Sequence, residues 1–111
     1  MTVESIRNRV WQILDDTKDP HRWDAVVLRG YLQEAVRRLN VRVPATRYVG
    51  LALLDYIELP GADDETISID DRYAEALSLY VAYLSYFNDA TDTVNSERAA
   101  ACLTRAEGLM V

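Results

Sequence analysis

The residues here whose types can do chemistry are His21, Cys102, the acid cluster Asp63-Asp64-Glu65 and the acid pair Asp70-Asp71. A general base or a nucleophile needs a partner group within hydrogen-bond reach. His21 is the only histidine and follows Pro20 in a polar stretch, so it reads as a solvated loop residue. With one histidine and one cysteine, the chain offers no zinc-ligand pair and no Cys–His couple. The acids could hold a hard cation, but they lack the alternate-residue spacing and central glycine of a calcium loop. One cluster reads as a solvated turn and the other as a helix start. "LPGADDE" has one glycine and no lysine, so it is not a phosphate loop. Cys102, on the apolar side of an alanine-rich segment, reads as a small buried hydrophobe. The expectation is a protein without cofactor, metal or catalysis, which works by binding.

Charge is divided unevenly along the chain. Residues 1–47 hold nine Lys and Arg against six Asp and Glu, and residues 48–111 hold three against twelve. The overall balance of −6 disfavours nonspecific attachment to DNA or to an anionic membrane. A basic end and an acidic end on one chain suit molecules that meet head to tail, although solvated faces would show the same imbalance. At 111 residues the chain can build one hydrophobic core, so residues 1–111 are expected to form a single domain. No apolar run is long enough to span a bilayer. "MTVESIRNRV" has charges where a signal peptide needs an apolar core. A lone cysteine fits a reducing compartment.

The elements that must position any binding surface are mainly helical. Val3, Ile6, Val10, Ile13 and Leu14 recur at helical spacing after Thr2, a candidate N-cap, with Trp11 beside the stripe and an end near Asp16. A second helix starts at Asp24 and turns Leu28, Leu32, Ala35, Val36 and Leu39 inward. Its outer face carries Arg29, Gln33 and Arg37, with Arg38 and Arg42 nearby. "YVGLALLDYIELP" alternates loosely, closes on Pro60-Gly61, and is followed by the β-branched "ETISI". We expect a short β-hairpin or extended loop there, although the short apolar run "GLALLDYI" also permits a helix. Asp70 or Asp71 then caps a tyrosine-rich helix running to about Asn88 or Ala90. After "ATDTVN", Asn95 caps a last helix with Ala99, Cys102, Leu103, Ala106 and Met110 on one side. The fold class is thus mainly α: about four helices, with a hairpin or extended loop between the second and third.

On the tyrosine helix, one stripe holds Tyr73, Leu77, Tyr80, Leu84 and Phe87 and is assigned to the core. An adjoining stripe holds Ala76, Leu79, Tyr83, Tyr86 and Ala90. Tyr83 and Tyr86 are placed at a shared surface, since tyrosine buries a large ring while its hydroxyl keeps a polar partner. The small residues Ser78, Ala82 and Ser85, with Glu75 and Asp89, form the remaining narrow band.

The order of these pieces resembles a known family. An N-terminal helix ends in "ILDD", "RW" opens the second, and an extended segment passes through "IELPG". The helix "ISIDDRYAEALSLYVAYLSYFNDA" and the closing "NSERAAACLTRAEGLM" complete it. The pattern is similar to the small head–tail adaptor (connector, or head-completion) proteins of tailed bacteriophages, and it covers nearly the whole chain. Longer members carry an extended β-rich insertion before the tyrosine helix, which here is short.

The resemblance implies a helical subunit made in the bacterial host cytoplasm and built into the virion at the head–tail interface. There it would form a ring with neighbouring copies, typically twelve, beneath the portal protein. Such a ring extends a channel through which DNA passes without specific binding, and docks tail or stopper proteins. On this reading Arg29, Arg37, Arg38 and Arg42 would meet Asp63, Asp64, Glu65 or other acids of a neighbouring copy or of the portal. The alternative from the residues alone is a small all-helical regulatory module that binds one protein partner, as a monomer or as a dimer through Tyr83 and Tyr86.

Overall fold

In the computed structural model, which describes residues 1–89 and 93–111, four helices surround one core. They are α1 (Val3–Ile13), α2 (Ala25–Arg42), α3 (Ala74–Asn88) and α4 (Thr93–Leu109). A 3-10 turn (Pro44–Arg47) leads from α2 into a two-stranded antiparallel hairpin, β1 (Tyr48–Val49) and β2 (Ala52–Leu53). A second 3-10 turn (Asp71–Tyr73) leads into α3. The mainly helical class with a hairpin between α2 and α3 is therefore the observed fold. No helix of the described residues is long and apolar enough to cross a membrane.

Local chemistry sets the helix starts. Thr2 closes a capping box with Ser5: the Thr2 hydroxyl accepts from the Ser5 N–H at 3.0 Å, and the Ser5 hydroxyl accepts from the Thr2 N–H at 2.9 Å. The Asp24 carboxylate accepts from the Val26 N–H at 2.8 Å, and Asp70 caps the turn before α3 by accepting from the Arg72 N–H. Helix α1 stops at Ile13, short of Asp16, because Asp15 turns to φ 54°. The N–H groups of Asp15 and Asp16 then bond back to the carbonyls of Gln12 and Trp11, a Schellman-type end. Asn95 is not the cap of α4, which already begins at Thr93. Its buried amide instead donates to the Asp89 carbonyl and carboxylate, both at 3.1 Å, tying α4 to the end of α3.

Helix α3 is central, contacting α1, α2 and α4. The inner face of α2 is the one the spacing predicts, with Leu28, Leu32, Ala35, Val36 and Leu39 all buried. The α3 assignment needs correcting. Ser78, Ala82 and Ser85, read as the leftover band, are fully buried, while Phe87, read as core, is 61% exposed. The serines can go inside because each hydroxyl donates to the carbonyl four residues back, Ala74 at 2.8 Å and Val81 at 2.9 Å. Their small volume lets neighbouring helices approach closely. Tyr86 also belongs to the core, with its hydroxyl donating to the Ile13 carbonyl. Ala90 lies outside the described residues.

Two further expectations change. His21 is not a solvated loop residue: its ring stacks on Trp11 at 3.5 Å, and its Nδ1 lies 2.5 Å from the Asp16 carbonyl. Cys102 is half-buried rather than buried, and burial pushes its thiol above the usual range, against the opposing charge of Arg105. Among the described residues, no three His, Cys, Asp or Glu side chains stand together as a metal site would need.

Candidate assembly surface

The segment between α2 and α3 divides into a part the core holds and a part it leaves outside. Residues 57–59 belong to neither strand nor helix, and α2 side chains take up their backbone hydrogen bonds as a neighbouring strand would. Asn40, itself buried, accepts from the Ile57 N–H at 2.8 Å, and Gln33 takes both the Ile57 carbonyl (3.0 Å) and the Leu59 N–H (2.9 Å). With the backbone so held, Ile57 and Leu59 are buried, as are Ile67 and Ile69 further on. Ile67 donates its N–H to the Met1 carbonyl, and Thr2 bridges Thr66, so "ETISI" pairs with the N-terminus and not with the hairpin.

The hairpin itself is the part left outside. Tyr48 pairs with Leu53 and Val49 with Ala52, and Gly50 takes φ +62° in the tight connection, a conformation side-chain-bearing residues seldom adopt. All four strand residues are exposed. Leu51 at the tip is 102% exposed, and Val49, Leu53 and Leu54 are exposed around it. Strands this short have no face that packs on the core, so apolar residues in both phases stay in water. Exposed apolar residues grouped in this way make the arm a candidate interaction surface. At the foot of this arm, Arg37 and Arg47 line an open pocket of about 390 Å³ with Asn40, Val41, Asp55 and Tyr56. The Arg37 guanidinium lies 4.4 Å from the Tyr56 ring centre, a cation–π contact that orients it.

The charged residues expected at an interface fall into two groups. Arg29 and Asp63 pair within the chain at 2.7 Å, and Arg7 joins the other Asp63 oxygen at 2.6 Å. Arg29 also donates to the Pro60 carbonyl. The hydrogen bond from Arg7, with the charges of Arg7 and Arg29, holds the Asp63 carboxyl below the usual carboxylate range. Arg38 pairs with Glu107 at 2.8 Å, and Arg42 stands 3.8 Å from the same carboxylate. These residues fasten the α2 face to the following loop and to α4. Arg37, Asp64 and Glu65 remain exposed without an ion pair among the described residues.

The tyrosines divide as well. Tyr86 is buried, whereas half-buried Tyr83 packs beside Tyr80 (5.3 Å) and Phe87 (5.8 Å). Tyr83 and Phe87 line a groove of about 520 Å³ with Ala100 and Leu103 of α4. Sequence reasoning did not single out Leu51 or Arg47. The signal for Leu51 was there, since "VGLALL" places apolar residues in both strand phases with no polar alternate. Nothing marked Arg47, whose place depends on how the arm folds back. The chain matches no family model, no curated protein and no solved structure.

Proposed function

We propose that this chain is a structural subunit of a tailed-phage head–tail adaptor, a ring beneath the portal that extends the DNA channel and docks tail or stopper proteins, with no catalytic role. The observation that carries the reading is the apolar arm, tipped by fully exposed Leu51, which the chain's own core does not cover. An assembly protein needs such a surface, and a self-sufficient monomer does not. The resemblance in element order, from "ILDD" through "IELPG" to the tyrosine helix, supplies the class. The acidic balance suits a channel wall past which DNA must slide.

A second reading, a small protein-binding regulatory module, is favoured by one feature, the open groove at Tyr83, Phe87 and Leu103. Electron microscopy of the protein mixed with the portal protein encoded in the same genome separates the two. The adaptor reading predicts a ring layer on one face of the portal. A bare portal, with a two-fold dimer of the chain in solution, would replace it with the regulatory module.

A further inference from the structure

Ion pairs within the chain occupy Arg29, Arg38 and Arg42, and what they leave over falls into two patches. The first is the foot of the arm. Arg37 is oriented by Tyr56, and the Arg47 Nε is buried with no hydrogen-bond partner. Such an orphaned donor is unfavourable, so the Arg47 side chain is not fully satisfied within the chain. Asp55 is the one acid lining that pocket, so two guanidinium groups leave a positive surplus there.

The second patch is the outer side of the first half of α2. Val26, Arg29, Gly30, Gln33, Glu58 and Leu59 line an open groove of about 380 Å³, and the Arg29 charge in it is already paired with Asp63. Exposed Asp64 and Glu65 belong to the neighbouring loop, which Asp63 anchors through Arg29. Glu58, Asp64 and Glu65 make no ion pair among the described residues. Gly30 is inside the helix, where glycine is disfavoured relative to alanine. Nothing in the chain lies within 4 Å of where its Cβ would stand. The helix surface at Gly30 is therefore open, which leaves room for another backbone to approach closely. Arg29 and Arg37 are about 12 Å apart along α2 at about 1.5 Å per residue, and Arg47 lies beyond the helix end, so the two patches do not serve each other within one chain.

We propose that the patches meet between copies: the apolar arm and its Arg37/Arg47 pocket dock on the Gly30 groove of a second copy, the arginines facing Asp64 and Glu65. The inference rests on the assembly reading above and names the partner surface. Because the contact joins two different patches it is heterologous, and repetition closes a ring where the rotation allows. The charges set register, and the arm's apolar side chains supply most of the affinity.

Analytical ultracentrifugation of the full chain across concentration and salt tests this. The wild type should shift to larger species as concentration rises into the millimolar range, and the association should weaken, without being abolished, at high salt. Arg37→Glu with Arg47→Glu should move the association at least tenfold higher in concentration. Gly30→Gln, which adds bulk on an open helix face without loss of helix propensity, should do the same. Adding Asp64→Arg and Glu65→Arg to the double arginine reversal should recover most of the loss. A wild type that stays monomeric, or association that these variants leave unchanged, overturns the pairing, as does association that only Phe87→Ser abolishes. The portal experiment reports separately. A portal layer formed equally well by the arginine reversal keeps the adaptor reading and discards this contact. Charge-swap rescue beside a bare portal does the opposite.

Discussion

The buried small-residue face of α3 and the exposed arm after α2 each invert the usual relation between residue type and location. On α3, Ser78 and Ser85 are inside because their hydroxyls are satisfied by their own helix and their volume suits close packing. On the arm, Tyr48, Val49, Leu51 and Leu53 are outside because two-residue strands have no layer to pack against. The lesson is that these polar residues inside have a partner in their own helix, whereas these apolar residues outside have none in the chain's core. That missing partner points away from the chain itself.

The largest expected effect on stability is at the buried face. Ala82→Leu inserts side-chain volume where none is free, and should destabilise by about 1–3 kcal/mol, read from urea unfolding. An unaffected midpoint would mean that α3 packs more loosely there than its burial indicates. Asn40→Ala comes next, since Asn40 holds the chain on both sides of the arm, through the Thr46 hydroxyl and the Ile57 N–H. It leaves the buried Ile57 N–H unpaired, for a loss of about 1–2 kcal/mol, and should raise amide exchange at 57–59.

How much of this could be read in advance follows the same division. The caps at Thr2 and Asp24 and the inner face of α2 were legible, because each depends on residues within a few positions of one another. The hairpin was legible as a kind of element but not in its boundaries. The α3 faces were not, since helical projection weighs residue polarity and misses a serine satisfied by its own backbone. The Arg29–Asp63 pair joins residues 34 positions apart and exists only because the loop folds back over α2. Phe87 lies in the predicted core stripe, and only the position of α4 leaves it on an open groove.

A smaller effect is expected at Asp63. Its folded-state pKa is lowered by the hydrogen bond from Arg7 and the charges of Arg7 and Arg29. Its contribution is therefore complete above the ordinary carboxylate value, near pH 4, and is lost as pH falls through the lowered one. Asp63→Asn should cost about 1 kcal/mol or less at neutral pH, because the carboxylate is partly exposed. The variant should also lose less stability than the wild type between about pH 5 and pH 2. Parallel acid-unfolding curves would show that the pair contributes nothing.

The smallest effect on folding is expected at the arm, and the central claim turns on it. Leu51→Ser should change unfolding free energy by less than about 0.5 kcal/mol, because Leu51 is fully in water. The decisive measurement is co-sedimentation of Leu51→Ser and wild-type protein with the portal protein of the same genome. The account predicts that wild-type protein sediments with the portal while the equally folded variant stays in the supernatant. Full co-sedimentation of the variant would contradict it.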